Sequence, residues 1–391
     1  MDVVDFVKSY LFKSDSANTD NLTFKIHYRV CFSFLLGCMA LVSARQYIGD
    51  PINCIVDGVP SGTMDLYCWI HATFSVPSRW GKGSEEYGEG NPAAIGEINP
   101  HPGIAPPQEG EEVVYHKYYQ WVVFVLFLQA LCFHIPRMIW KHSEGGIVKM
   151  LVGDLVDPMY IVSFYKNKKE FRWFFYFNLI YLIINNNLIF QLFCLVNVIA
   201  QVYITDRFLG YSFTTYGWDV FTLNNMNPED RPDPMNVVFP KVTKCTFFKY
   251  GSSGTIESRD GLCILALNVI NEKIYVFLWF MFVGVAIFTI CALIYRVLII
   301  AVPALRTQVL MTSTLYQVDR KTVEKVLSCP NHSFLDRVGD YWILFLLSRN
   351  LSPIAMRELF DELRPILHPE QNHYGGYPTL TPQEYEKESK M

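Results

Sequence analysis

The residues of this chain best suited to chemistry are its ten cysteines, four of which form two widely separated pairs. Cys54 and Cys68 precede two long apolar stretches, and Cys245 and Cys263 follow them. An even number of cysteines in an oxidising compartment predicts disulfides. A zinc site is the alternative, but no CxxC or HxxxH spacing supports it. Four cysteines allow three pairings, so bonds within each pair and bonds between the pairs both remain open.

The sequence lacks the side-chain patterns that membrane-embedded catalysis requires. It contains no HExxH or GxSxG motif, and its apolar stretches contain no carboxylate pair. Ion-coupled transporters usually need charged side chains inside the membrane, and the third and fourth predicted spans have none. His134 lies inside an apolar stretch and is interpreted as structural. We therefore expect no enzyme, no catalytic residue, no metal and no cofactor.

Four apolar stretches are long enough to cross a bilayer. Residues 118–136 and 274–295 contain no Asp, Glu, Lys or Arg. At about 1.5 Å rise per residue, each can cross a hydrocarbon core about 30 Å thick. Residues 30–48 contain only Arg45, whose long side chain can reach water near the end of the stretch.

The remaining apolar stretch, residues 173–205, is too long for one crossing and contains three consecutive asparagines at 185–187. Three amides at mid-bilayer would be costly. We therefore place the crossing at residues 184–204, and residues 173–183 in a helix on the cytoplasmic membrane surface.

The distribution of basic residues predicts the orientation. Cytoplasmic loops are enriched in Lys and Arg, and residues 137–172 contain seven: Arg137, Lys141, Lys149, Lys166, Lys168, Lys169 and Arg172. Residues 49–119 contain only Arg79, Lys82 and Lys117. The loop after the second span is therefore predicted to be cytoplasmic, and both termini with it.

These patterns predict an all-α polytopic membrane protein, a four-transmembrane-helix bundle. Its two extracellular loops carry the disulfides and minor β structure, and its cytoplasmic domain is helical. The predicted segments are a cytoplasmic N-terminal helix 1–29, spans 30–48, 120–136, 184–204 and 274–295, extracellular loops 49–119 and 205–273, a cytoplasmic loop 137–183 and a cytoplasmic tail 296–391.

Several local elements can also be predicted. Four prolines in residues 227–240 favour an extended segment, and residues 241–250 alternate like a strand. Pro136 is expected to kink or end the second helix. Ser352 before Pro353 indicates a helix start in the tail.

The net charge of −4 and the lack of a basic stripe in the sequence argue against a nucleic-acid partner. Four helices cannot enclose a wide aqueous path, so a channel would need several subunits in a ring. An adhesion or scaffold protein is the other class that these residues allow.

A pentapeptide at the entry to the second span matches the signature of innexins, the invertebrate gap-junction proteins. It consists of Tyr118, Tyr119, Gln120, Trp121 and Val122. Similar segments occur at residues 48–52 (IGDPI), 135–137 (IPR, with Pro136), 239–245 (FPKVTKC) and 267–275 (LNVINEKIY). The chain resembles insect innexins and their viral homologues over nearly its whole length.

The resemblance implies a gap-junction channel or hemichannel subunit in the plasma membrane that passes ions and small molecules. It implies nested disulfides, Cys54 with Cys263 and Cys68 with Cys245. It also implies an octameric ring, with a hexamer as the alternative, formed alone or with other innexins. The ring docks head to head with one on the apposed cell.

The pore is expected to be lined by the N-terminal helix and the first span, in contact with membrane lipids outside. The candidates are Met1, Asp2, Val3, Asp5 and Phe6, with Arg45 and Asp50 setting charge preference near the outer mouth. The alternative is a non-conducting adhesion or regulatory subunit that co-assembles with other innexins.

Overall fold

The computed structural model describes residues 20–77, 101, 103–104, 110–144, 146, 149, 152, 180–222, 233–328 and 334–367. These residues fall into two compact units. One contains the described parts of Asn21–Ile139 and Gln191–Ala292, and the other contains Asp20 and the described parts of Trp140–Phe190 and Leu293–Met391. The predicted surface helix 173–183 and the candidates Met1, Asp2, Val3, Asp5 and Phe6 lie largely or wholly outside the described residues.

Four of the described helices are long and apolar enough to cross a membrane. They are α1 (Leu22–Ile48), α3 (Val122–Glu144), α4 (Ile180–Phe208) and α7 (Ala266–Ala301). Large apolar side chains such as Phe124, Ile199 and Phe277 are exposed along them. An apolar surface of this kind is typical of a helix that faces lipid. Where each membrane span begins and ends within its helix remains a prediction.

Polar contacts inside the bundle link neighbouring helices. In α1, the segment Ile26–Cys31 is π-helical, and His27 Nε2 lies 3.0 Å from Thr289 Oγ1 of α7. Gln129 of α3 donates from Nε2 to Thr205 Oγ1 of α4 over 2.7 Å. Because water is absent from a bilayer core, such partners satisfy polar groups that would otherwise be costly to bury.

Pro136 does not end the second helix, because α3 continues past it to Glu144. Proline removes one backbone donor from a helix. Membrane helices tolerate that loss where neighbouring groups satisfy the freed carbonyl. The part of the prediction that allowed termination is therefore wrong.

One antiparallel sheet unites the segments between the spans. Its strands are β1 (Asn53–Ile55), β2 (Thr73–Ser75), β3 (Val114–His116), β4 (Val242–Tyr250) and β5 (Ile256–Ile264). Their order is β1-β5-β4-β2-β3. Helix α2 (Ser61–His71) connects β1 to β2. The predicted strand at residues 241–250 is confirmed as β4, whereas the five-stranded sheet was not predicted.

The segment before β4 is not wholly extended. Two short helices, α5 (Phe213–Thr222) and α6 (Pro234–Val238), precede the strand. Asp233 caps α6 by accepting a hydrogen bond from the Met235 backbone N–H over 2.9 Å. An Asp cap followed by proline at the first helical position is a strong helix start, so the prediction of an extended 227–240 is wrong at α6.

The second unit is built from α8 (Pro303–Ser313), α9 (Arg320–Leu327), α10 (Phe334–Ser348) and α11 (Pro353–Leu367). Its core contains Val323, Tyr341, Met356 and Phe360. Ser352 Oγ accepts from the Ala355 backbone N–H over 3.2 Å. The predicted helix start at Ser352 and Pro353 is confirmed.

Gly217 of α5 provides a test of how tightly the loop helices pack on the bundle. A Cβ atom at Gly217 would overlap the ring of Trp279 on α7. The ring is held in place because Trp279 Nε1 donates to the Thr214 carbonyl over 3.0 Å. We expect Gly217→Ala to destabilise the protein by about 1–3 kcal/mol through overpacking, measured by thermal unfolding in detergent.

Gly284→Ala is the matched control, because a Cβ there meets nothing within 4 Å. Alanine is favoured over glycine in a helix, so this variant should unfold at the same temperature as the parent or higher. Equal melting temperatures for the two variants would contradict the packing argument.

Candidate functional site in the disulfide-bonded domain

Two disulfides join the two loops. Cys54 of β1 bonds to Cys263 of β5, and Cys68 of α2 bonds to Cys245 of β4. These are the nested pairs that the resemblance implies. The bonded residues are 209 and 177 positions apart in sequence. Cross-links across such long loops restrict the unfolded chain strongly.

The two bonds lie side by side at the centre of a small core. The Sγ atoms of Cys54, Cys68 and Cys263 lie within 4.8 Å of one another, and all four cysteines are buried. Sulfur clusters of this size can hold a metal, but a metal requires thiolates. Here each sulfur is already in a disulfide, so this donor set does not fit a metal site.

The Tyr-Tyr-Gln-Trp-Val pentapeptide connects this core to α3. Tyr118–Gln120 form one 3₁₀ turn, and Tyr119 is fully buried. The Tyr119 hydroxyl donates to the Cys68 carbonyl over 3.3 Å, and its ring lies 4.7 Å from that of Trp69. Gln120 Nε2 donates to the Trp69 carbonyl. The pentapeptide therefore fixes the end of α3 to α2, next to a disulfide.

Its other members face different surroundings. Val122 is fully buried among the bundle helices, whereas Trp121 is 60% exposed. Burial raises the pKa of Tyr119 to about 12, and the pKa of Tyr118 is raised well above its usual range for the same reason. Both phenols stay protonated at physiological pH, so they act as neutral hydrogen-bonding groups.

Asn268, at the start of α7, joins three parts of the chain. Its Nδ2 donates to the Tyr118 hydroxyl over 3.0 Å and to the Pro240 carbonyl over 2.8 Å. The Glu272 carboxylate is almost fully buried and pairs with Lys241 and Lys273, each over 3.0 Å. Removing either partner of a buried pair leaves an uncompensated charge. These contacts hold the start of β4 against α7.

His116 of β3 is buried beside Ser75 of β2. Ser75 Oγ and His116 Nε2 lie 2.7 Å apart, and burial lowers the pKa of His116 to about 4. The imidazole is therefore neutral at physiological pH. No sequence pattern predicts this pair, because β2 and β3 are too short to show alternation.

The predicted charge-preference residues lie where α1 leaves the bundle. Arg45 and Asp50 are both exposed in the single subunit, as are the neighbouring side chains of Leu41, Tyr47 and Ile48. Pro136 is buried in α3. The structure does not bring Arg45 and Asp50 into the disulfide core.

Sequence reasoning missed an apolar surface at the far end of the β4–β5 hairpin. Tyr250 is 77% exposed, Ile256 67% and Phe248 58%. Tyr250 and Ile256 pair across the two strands. A signal was present in the alternation of residues 241–250, but the partner strand that defines the hairpin end was not predicted. Exposed apolar clusters of this kind mark interaction surfaces.

Four membrane helices whose connecting segments form one disulfide-bonded sheet define a polytopic membrane protein. The innexin family profile matches residues 20–366. The chain is 44% identical to innexin inx2 of Drosophila melanogaster over 370 residues, covering 93% of this chain and 95% of the relative. It is 42% identical to innexin inx2 of Schistocerca americana, covering 93% and 97%.

A further relative is innexin shaking-B of Drosophila melanogaster, 36% identical over 93% of this chain and 94% of the relative. The chain belongs to the innexin family. It is a gap-junction channel subunit of the membrane and not an enzyme. The resemblance seen in the pentapeptide is confirmed.

His116 predicts acid sensitivity of the loop domain, by which we mean the sheet β1–β5 and helix α2 with their two disulfides. The unfolded chain binds a proton near pH 6.5 and the folded chain near pH 4, so folding stability falls as pH decreases between these values. The loss is about 3 kcal/mol when complete. We expect the melting temperature of the parent to fall over this range, and that of His116→Gln to fall less.

His71→Gln is the control, because His71 is exposed. It should follow the parent at every pH. A His116→Gln profile parallel to that of the parent would show that His116 does not cause the acid sensitivity.

Proposed function

We propose that this innexin assembles into a ring that docks head to head with a ring on an apposed cell, forming a path for ions and small molecules. The observation that carries the proposal is the loop domain, in which both disulfides join one loop to the other. Such a domain presents a fixed surface beyond the bundle. An undocked ring would act as a hemichannel.

The disulfides also support an orientation. Disulfides form and persist in extracellular compartments and not in the reducing cytosol. The loop domain is therefore extracellular, and both termini are cytoplasmic. The basic residues between the second and third spans agree with this orientation.

The ring is octameric, with a hexamer as the alternative, and forms from this chain or together with other innexins. Arg45 and Asp50 support a pore along α1, because both are exposed in the single subunit and charges near a narrow mouth attract or repel ions. Met1, Asp2, Val3, Asp5 and Phe6 line the narrowest region in this proposal.

The hairpin end formed by Phe248, Tyr250 and Ile256 supplies the docking contact. An aromatic residue in the middle of an apolar cluster is a common hot spot in protein interfaces. The ion pair beside it, Lys249 with Glu257 over 3.5 Å, is exposed at both partners and suits a polar rim.

The disulfide test uses paired oocytes that express this chain alone. The parent should give junctional current, and Cys54→Ser or Cys263→Ser should abolish it because β1 is released from β5. Cys291→Ser is the control, since Cys291 is a free, exposed thiol in α7. Surface biotinylation verifies equal delivery to the membrane.

Normal junctional conductance in the Cys54→Ser variant would refute the role of the disulfides in docking. A parent chain that is silent alone but alters the current of another innexin would instead identify a regulatory subunit.

The docking surface has its own test. Tyr250→Ser should reduce junctional conductance by about tenfold, corresponding to the loss of about 1.4 kcal/mol at an interface hot spot. Hemichannel current in single oocytes should be unchanged, because the hairpin end is remote from the bundle core. Ser253→Ala, in the exposed turn of the same hairpin, should leave both currents at parental values. An unchanged junctional conductance in Tyr250→Ser would exclude this surface.

A further inference from the structure

Three arginines and one buried phenol lie in the second unit, which includes the end of α7. Arg296 lies near the end of α7, Arg306 on α8, and Arg337 and Tyr341 on α10. Tyr341 is fully buried, and only 8% of Arg296 and 5% of Arg306 are exposed. Arginine is almost never buried this deeply unless it is paired.

Arg296 has no ion pair or hydrogen bond to its buried Nη1 among the residues that the structure describes. Its Cζ atom instead lies 4.7 Å from the ring centroid of Trp342. A ring face holds a guanidinium in one orientation but does not neutralise it. The buried Nη1 of Arg296 therefore remains available to an acceptor.

Two other polar atoms are also buried without a hydrogen-bond partner within the described chain. They are Arg337 Nε and the Tyr341 hydroxyl oxygen. A buried polar atom left in this state destabilises the fold, because it has lost its hydrogen bonds to water without replacement. Tyr341 follows Arg337 by four positions, so both side chains lie on one face of α10.

Arg296 and Tyr341 meet at the ring of Trp342, whose centroid lies 4.7 Å from the Arg296 Cζ atom and 5.3 Å from the centroid of the Tyr341 ring. Burial lowers the pKa of Arg306, and the neighbouring Arg337 guanidinium lowers it further. Burial raises the pKa of Tyr341, whereas the guanidiniums of Arg296 and Arg306 oppose that rise. The Tyr341 phenol therefore stays protonated and is a further hydrogen-bond donor.

Like charges gathered at low dielectric repel each other unless an anion lies between them. We propose that Arg296, Arg337 and Tyr341 form a binding site for a phosphate group, carried by a phospholipid headgroup or by a soluble phosphate. Planar guanidinium groups bind phosphate oxygens in pairs. A phosphate monoester has three terminal oxygens, which suits two guanidiniums and one phenol better than a two-oxygen carboxylate does.

The position of Arg296 in α7 places the site within reach of a lipid headgroup. Helix α7 has 36 residues, a length of about 54 Å that exceeds a hydrocarbon core of about 30 Å. Arg296 directly follows the predicted span 274–295, and its neighbours Tyr295 and Val297 are exposed apolar side chains. The site therefore lies near the level expected for lipid headgroups.

The test uses the purified full chain and two sources of phosphate. In detergent, the melting temperature is measured in sodium phosphate and in sodium chloride of equal ionic strength. In nanodiscs, it is measured in phosphatidylcholine with and without phosphatidic acid. A rise in one arm identifies the source of the phosphate, and a rise in both shows that the site accepts either. No rise in either arm overturns the proposal.

Single substitutions test which residues bind the phosphate. Arg337→Gln and Arg296→Gln should each weaken phosphate binding by about tenfold or more, because each removes a charge-assisted hydrogen bond. Arg320→Gln is the control, since Arg320 is exposed and pairs with Glu324 four residues later. Binding by Arg337→Gln that equals binding by Arg320→Gln would also overturn the proposal.

Two measurements separate ligand binding from folding. Without phosphate, Arg337→Gln should melt at or above the parental temperature, because it relieves repulsion between guanidiniums. Tyr341→Phe keeps the buried ring and removes only the hydroxyl, so it should fold and bind phosphate more weakly. If Arg296→Gln does not fold, these two variants decide the outcome. A lower melting temperature for Arg337→Gln in chloride, with phosphate binding unchanged, would identify a purely structural arginine.

Discussion

Covalent linkage between β1 and β5, and between α2 and β4, is the constraint on which the loop domain depends. Strands of three residues, such as β1, β2 and β3, are too short to be stable as isolated ribbons. The Cys54–Cys263 bond fixes β1 at the edge of the hairpin, where the two cysteines are direct partners in register. The Cys68–Cys245 bond places α2 over β4. Both loops consequently fold as one body.

The pentapeptide and the segment around Asn268 transmit this order to the bundle. Tyr119 and Gln120 bind carbonyl groups of α2, while Tyr118 accepts from Asn268 of α7. Polar contacts at two helix ends therefore fix the sheet relative to α3 and α7. This explains physically why a short motif at a membrane entry, with no catalytic group, can characterise a family of channels.

Sequence patterns predicted what local chemistry determines. Uninterrupted apolar stretches indicated the membrane helices, and Ser352 before Pro353 indicated a helix start. The pairing of β1 with β5 could not be predicted, because it depends on the register of residues far apart in the chain. The burial of Arg296 was equally hidden, since an arginine beyond a span ordinarily indicates a side chain in water. Resemblance to a family supplied the cysteine pairing, which the spacing of the residues left open.

Trp121 has a consequence for the space between cells. It is exposed at the start of α3, and indole rings favour the boundary between lipid and water. Its neighbour Gln120 is hydrogen-bonded to the carbonyl of Trp69 in α2. The depth at which the indole sits therefore fixes the height of the whole loop domain above the lipid. In the proposed docked assembly, this anchor and the length of the β4–β5 hairpin would together set the width of the gap between the apposed membranes.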